Sequence, residues 1–159
     1  MFGLFGKKEN LEIYSPISGK IIALEDVPDN VFASKMMGDG VAFEPEEGLV
    51  CAPCDGTIEM IFPTLHAFAM KLNNGAELLV HIGLDTVSLE GQGFKKLVDP
   101  EIKVKKGTPV IEINLEFMRK NGVILTTPMV ITNSSDFKLE FEKHDSVIRG
   151  RDIVLRCNK

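Results

Sequence analysis

The stretch from Thr64 to Thr86, TLHAFAMKLNNGAELLVHIGLDT, holds two of the chain's three histidines, His66 and His81. A neutral imidazole, with a pKa of about 6.5, serves near neutral pH as nucleophile, general base or metal ligand. Two apolar-rich runs, 65–72 and 76–82, flank Asn73-Asn74-Gly75. Asn and Gly tolerate the positive φ of tight turns, so the pattern predicts a β-hairpin. With Asn74-Gly75 as a two-residue loop, Phe68 lies opposite His81. His66 then shares a face with Phe68 and is the diagonal neighbour of His81, about 7–8 Å away between α-carbons. Two imidazoles at that spacing can lean together. A loop of odd length sends them to opposite faces.

In this register one face carries His66, Phe68, Met70, Leu72, Glu77, Leu79, His81 and Gly83. Both faces are largely apolar, so one is expected in a core and the other as an apolar surface around two polar rings. Such a patch suggests a docking site. Two further readings stand beside it. One is a pair of structural histidines satisfied inside a β core. The other is a metal site, for which two ligands are too few for zinc. A carboxylate such as Asp85, and a partner protein, would have to complete it.

The elements that must hold this hairpin are short. The chain has 159 residues, which suits one domain. Apolar runs with Gly or Pro breaks recur at 11–24, 36–43, 49–53, 57–62, 94–98, 108–113, 123–132, 137–144 and 147–155. That spacing predicts an all-β sandwich or barrel. Gly38-Asp39-Gly40 reads as a turn interrupting a strand, Pro128 as the mark of an edge strand or bulge, and 25–34 as a loop with one helical or extended turn. Asn114 to Gly122 is the best helix, with Asn114 as its cap.

Composition excludes several functions. A formal net charge of -5 argues against general nucleic-acid binding. No apolar run approaches the roughly 18–20 residues that cross a membrane. Residues 1–10, MFGLFGKKEN, read as a flexible tail capable at most of weak membrane contact, and 11–159 as the domain. Three cysteines, an odd number, fit a reducing cytoplasm. Cys51-Ala52-Pro53-Cys54 falls in a strand-turn setting rather than at a helix N-terminus, so the expectation is small apolar residues rather than a redox pair. Ala69-Met70-Lys71 looks like the tag of biotin-carrying domains, but Lys71 precedes the hairpin tip instead of standing on it. There is no G-x-x-x-x-G-K-[ST] loop and no G-x-S-x-G elbow.

A longer string is more specific. Glu77-Leu78-Leu79-Val80-His81-Ile82-Gly83-Leu84-Asp85-Thr86-Val87 closely resembles the phosphohistidine signature of the glucose-type IIA component of the bacterial sugar phosphotransferase system. Thr64-Leu65-His66-Ala67-Phe68 resembles the segment around that family's second histidine. The resemblance continues through Glu25-Asp26-Val27-Pro28-Asp29, Gly38-Asp39-Gly40, Ala52-Pro53-Cys54-Asp55-Gly56, Gly91-Gln92-Gly93-Phe94 and Thr127-Pro128-Met129-Val130, covering roughly residues 14–155 in order.

The resemblance implies a single-domain antiparallel β-sandwich with at most short helices. It implies a cytoplasmic phosphoryl carrier that takes phosphate from the phosphocarrier HPr and passes it to a cysteine on the IIB domain of a sugar permease. His81 matches the phosphorylated residue, reacting through Nε2, and His66 the neighbour that hydrogen-bonds the phosphoryl group. Thr64 matches the hydroxyl that orients His66. Asp29 and Asp85 match acidic rim residues, while Phe32, Met36, Met37, Val41, Phe62, Phe68, Leu79 and Val87 match or neighbour the apolar docking surface. Leu65 and Pro63 depart from common family choices beside Thr64. The expected cofactor set is none beyond covalent phosphate on His81, with adventitious or partner-shared zinc on the histidine pair as the alternative. Regulatory proteins docking on the same patch are a further expected partner class.

Overall fold

A computed structural model describes residues 11–159; the tail expected over 1–10 lies outside the described residues. In chain order the strands are β1 (Leu11–Tyr14), β2 (Gly19–Ala23), β3 (Asp39–Pro45), β4 (Leu49–Cys51), β5 (Gly56–Ile61), β6 (Ala67–Leu72), β7 (Glu77–His81), β8 (Phe94–Lys96), β9 (Ile102–Val104), β10 (Pro109–Ile113), β11 (Thr127–Ile131), β12 (Lys138–Phe141), β13 (Ser146–Val147) and β14 (Ile153–Asn158). Two short helices join them, α1 (Asn30–Ala33) and α2 (Leu115–Lys120). Asn114 caps α2 by accepting the Phe117 N–H at 3.0 Å, as its sequence predicts.

An eight-stranded antiparallel sheet runs β13-β2-β3-β11-β7-β6-β5-β9, and two three-stranded sheets, β1-β14-β12 and β4-β10-β8, complete the sandwich. Successive side chains of a strand point to opposite faces. The large sheet uses that alternation to feed two cores. Phe43, Met70, Leu78, Val80, Met129 and Ile131 join the main core. Ala42, Ala67, Leu79 and Val130, from the same strands, point the other way into a smaller cluster with Leu24, Val27, Phe32 and Leu84.

The register of the central hairpin differs from the sequence-based expectation. Phe68 faces Val80, and His81 faces Ala67. The loop is the three residues Asn73-Asn74-Gly75, closed by Leu72 N–H on Ala76 O at 2.9 Å. Asn74 accepts the Ala76 N–H through its side chain, and its amide donates to Cys157 O. Asn133 donates to Gly75 O from the other side. The loop length is thus held by tertiary contacts that local turn chemistry does not report. One consequence concerns Phe68. It is fully buried in the main core, so it offers no docking surface.

Three local expectations also change. Gly38-Asp39-Gly40 is not an interrupting turn: Asp39 and Gly40 begin β3. A Cβ on Gly40 would meet Met129 O at 1.9 Å, so glycine serves close strand approach there. Pro128 stands in a central strand between β3 and β7. The β11–β7 ladder begins one residue beyond it, at Met129 and Val80, so the missing N–H coincides with the point where His81 leaves the ladder. The last strand starts at Ile153, because 148–152 form a turn in which Ile148 N–H bonds Asp152. The buried thiols Cys51 and Cys54 are pushed up to about 11 by desolvation, so both stay protonated core groups.

Phe68→Ala is expected to cost about 3–5 kcal/mol in denaturant unfolding, as for other fully buried phenylalanines. A surface role for Phe68 predicts almost no loss in the same measurement.

Candidate functional site

His81 ends β7 on the side of the smaller core, two residues beyond Leu79. By strand parity His66 belongs to the opposite face. It reaches His81 because it precedes β6, where parity no longer applies. Phe62 N–H bonds Ala67 O at 2.9 Å and Leu65 N–H bonds Phe62 O at 2.7 Å, closing a tight turn. Leu65 takes a left-handed φ of 62° within it. The His66 carbonyl then accepts the Ile82 N–H at 2.6 Å. The imidazoles meet with ring centroids 5.0 Å apart and planes at 79°.

Each imidazole has a phenyl ring on its outer side. Phe62 lies edge-on to His66 at 5.4 Å, and Phe32 lies 5.1 Å from His81. Phe32 is placed by α1, which Asp29 caps by accepting the Val31 N–H at 2.9 Å. These rings keep water from the flanks of the pair and fix its tilt.

The hydrogen bonds distinguish the two rings. His81 Nδ1 lies 2.7 Å from Gly83 O. A carbonyl oxygen only accepts, so Nδ1 carries the proton, and in the neutral ring Nε2 keeps a free lone pair. His66 Nδ1 lies 2.6 Å from Thr64 Oγ1, and a hydroxyl can take either role. Burial holds the pKa of His81 below the ordinary histidine value; the Gly83 bond and the Asp29 carboxylate oppose that in part. Burial, then the nearby His81 charge, lowers His66 as well. Both rings therefore favour the neutral form, and His81 then keeps its lone pair on Nε2.

At the site His66 is buried, while His81 and Phe62 are partly exposed. A cavity of about 680 Å³ lies between β2 and residues 141–145 and takes in, of the sequence-predicted residues, only Val41. Val41 is buried in the main core, as Phe68 is. Leu79 and Phe32 lie beneath the surface, in the smaller core. Met36, Met37 and Val87 are exposed, with Met36 74% accessible. Asp85 is exposed on the turn after β7, and Asp29 faces His81 from the start of α1. Two exposed apolar residues escaped the sequence reading. Val31 is next to Phe32 on α1, a position that the cap at Asp29 marks. Ile124 adjoins the Gly83 turn through its carbonyl, which accepts the Leu84 N–H at 2.9 Å; no sequence signal points to it. Among the described residues, no group of three or more His, Cys, Asp or Glu is arranged to hold a metal ion, and no helix is long and apolar enough to cross a membrane.

A group whose folded pKa is lowered stays neutral until the pH falls below the ordinary value. The His81 ring titration followed by NMR is therefore expected to have its midpoint below about 6.5. Asp29→Asn, which keeps a capping side chain, is expected to lower the midpoint further by removing the opposing charge. A midpoint at or above the ordinary value contradicts the desolvated setting.

Comparison with known proteins agrees with this geometry. The family model for the phosphoenolpyruvate-dependent sugar phosphotransferase system, EIIA 1, matches residues 11–137. The glucose-specific EIIA components of the PTS system from two strains of Staphylococcus epidermidis are each 43% identical over 157 residues, covering 96% of this chain and 95% of theirs. The structure of glucose permease IIA from Mycoplasma capricolum superposes with a TM-score of 0.87 at 35% identity, over 98% of this chain and 99% of that one. The antiparallel sandwich, the matched segment and these relatives agree: the chain belongs to the EIIA 1 family of the phosphoenolpyruvate-dependent sugar phosphotransferase system.

Proposed function

We propose that this component carries the phosphoryl group on His81, taking it from HPr and giving it to a cysteine of the IIB domain of a glucose-type permease in the cytoplasm. The observation that carries the proposal is the His81 Nδ1–Gly83 O bond, which leaves Nε2 unprotonated beside a second imidazole. In the first step Nε2 attacks phosphorus as the bond to its donor on HPr breaks. His81 keeps its Nδ1 proton throughout. In the second step the IIB thiolate attacks, the N–P bond breaks and its electron pair returns to Nε2. The relatives' names support the sugar class.

His66 supplies an N–H to the phosphoryl oxygens. For that it must be protonated on Nε2, so Thr64 donates its hydroxyl proton to Nδ1. The two rings thus hold opposite tautomers, each set by its own partner. Transfer of this kind rests on positioning and charge stabilisation. Asp29 and Asp85 attract basic residues of the partner, and exposed Met36, Met37, Val31 and Val87 exclude water once it docks. Because His81 is partly exposed, protection of the N–P bond from hydrolysis belongs to the complex as much as to this chain.

Phosphoenolpyruvate and the general proteins of the system are expected to place an acid-labile label on wild type and on His66→Gln, and none on His81→Ala. The His66→Gln chain is expected to fail in passing its label to IIB. An unlabelled wild type with competent donors overturns the proposal. Thr64→Val is expected to accept label normally but to slow onward transfer roughly tenfold, the scale of one buried hydrogen bond. Unchanged transfer removes Thr64 from the relay.

A further inference from the structure

The Gly83 carbonyl decides the His81 tautomer, yet glycine is the residue least able to hold its own peptides in place. Gly83 has a φ of 76°, and the peptide groups on either side of it are free to flip unless something outside the glycine restrains them. The restraints are visible in the turn. The peptide between Gly83 and Leu84 is held by Leu84 N–H on Ile124 O at 2.9 Å. The peptide between Ile82 and Gly83 is held at its carbonyl by Thr86, whose Oγ1 donates to Ile82 O at 2.6 Å. At its N–H there is only a long 3.4 Å approach to Thr127 Oγ1. Thr127 spends its own hydroxyl proton on Leu125 O at 2.7 Å.

Thr86 is fully buried, and its hydroxyl bonds Ile82 O rather than either imidazole. Its methyl group stands 2.6 Å from where a Cβ on Gly83 would be, so it fills the space that the glycine leaves. The same side chain therefore restrains the turn in two ways: a hydrogen bond to one peptide and packing against the bare α-carbon. Ile82 adds a link to the second histidine, because its N–H bonds His66 O at 2.6 Å. A shift of the Ile82 residue moves both rings together.

We propose that Thr86 is a positioning residue for His81: its hydroxyl locks the Ile82–Gly83 peptide on one side of Gly83, as Ile124 O holds the Gly83–Leu84 peptide on the other, so that Gly83 O stays on Nδ1 and Nε2 stays free. The consequence for phosphate acceptance rests on the carrier reading, but the tautomer itself does not. Without the hydroxyl, Ile82 O loses a buried donor. Rotation of that peptide changes φ at Gly83 and leaves the Gly83–Leu84 peptide anchored by Ile124 O alone, so Gly83 O is free to leave His81. A ring released in this way populates the Nε2–H form, which has no lone pair at the reacting nitrogen.

The test uses 15N ring shifts of His81 in the unphosphorylated full chain, beside the rate of label uptake from phospho-HPr. Wild type is expected to show the Nδ1–H tautomer. Thr86→Val, which keeps shape and loses the hydroxyl, is expected to raise the Nε2–H population and slow uptake roughly tenfold. Thr86→Ser, which keeps the hydroxyl and loses the methyl, is expected to restore both. A valine variant with the wild-type His81 tautomer and rate overturns the proposal, as does a serine variant that behaves like valine. Should Thr86→Val fail to fold, Thr86→Ala takes its place beside Thr86→Ser: an Nε2–H population in the alanine variant with Nδ1–H retained in serine supports the hydroxyl role, and a wild-type tautomer in alanine or its loss in serine overturns it. A wild type that shows the tautomer but takes no label leaves the positioning role standing and removes only the carrier reading.

Discussion

A backbone carbonyl has no proton to give, and the site depends on that plain fact. Where Gly83 O approaches His81 Nδ1 at 2.7 Å, the imidazole has no choice of tautomer. A free neutral histidine in water divides its proton between two nitrogens and leaves Nε2 unprotonated only part of the time. Here one contact removes that division. The surrounding structure maintains it: Thr86 and Ile124 hold the turn, and Phe32 packs beside the ring.

The smaller core is what makes the large sheet able to carry chemistry. Many antiparallel sheets leave one face to water. In this chain Ala42, Ala67, Leu79 and Val130 give the outer face its own apolar floor, and residues 24–37 fold across part of it. The histidines stand at the border of that covering, His66 buried with 5% exposure and His81 partly exposed. Desolvation then shifts both rings toward the neutral form, while His81 keeps part of its surface exposed.

Much of this arrangement is legible in the residues. Strand-like runs with Gly and Pro breaks indicate the all-β class, Asn114 marks its helix, and the string from Glu77 to Val87 marks the family. The hairpin register is not legible, because Asn74 and Asn133 settle the loop length through partners far away in sequence. The meeting of His66 with His81 is anticipated, but by the wrong route: a two-residue loop stands in for the left-handed turn at Leu65. Pro128 misleads because a central strand tolerates proline where one of its ladders happens to end. Val41 and Phe68 mislead because an apolar type near a site does not reveal which side of the sheet it takes.

The position of β11 in the large sheet has a consequence for synthesis of the chain. The histidines are close in sequence, but β7 gains its outer neighbour only from Thr127–Ile131, and the Gly83 turn is held by the carbonyl of Ile124. Pairings that span so many residues form late in folding. A nascent chain still held at the ribosome before residue 131 has both imidazoles and no frame to orient them. The orientation of the histidine pair thus arises with the complete sheet.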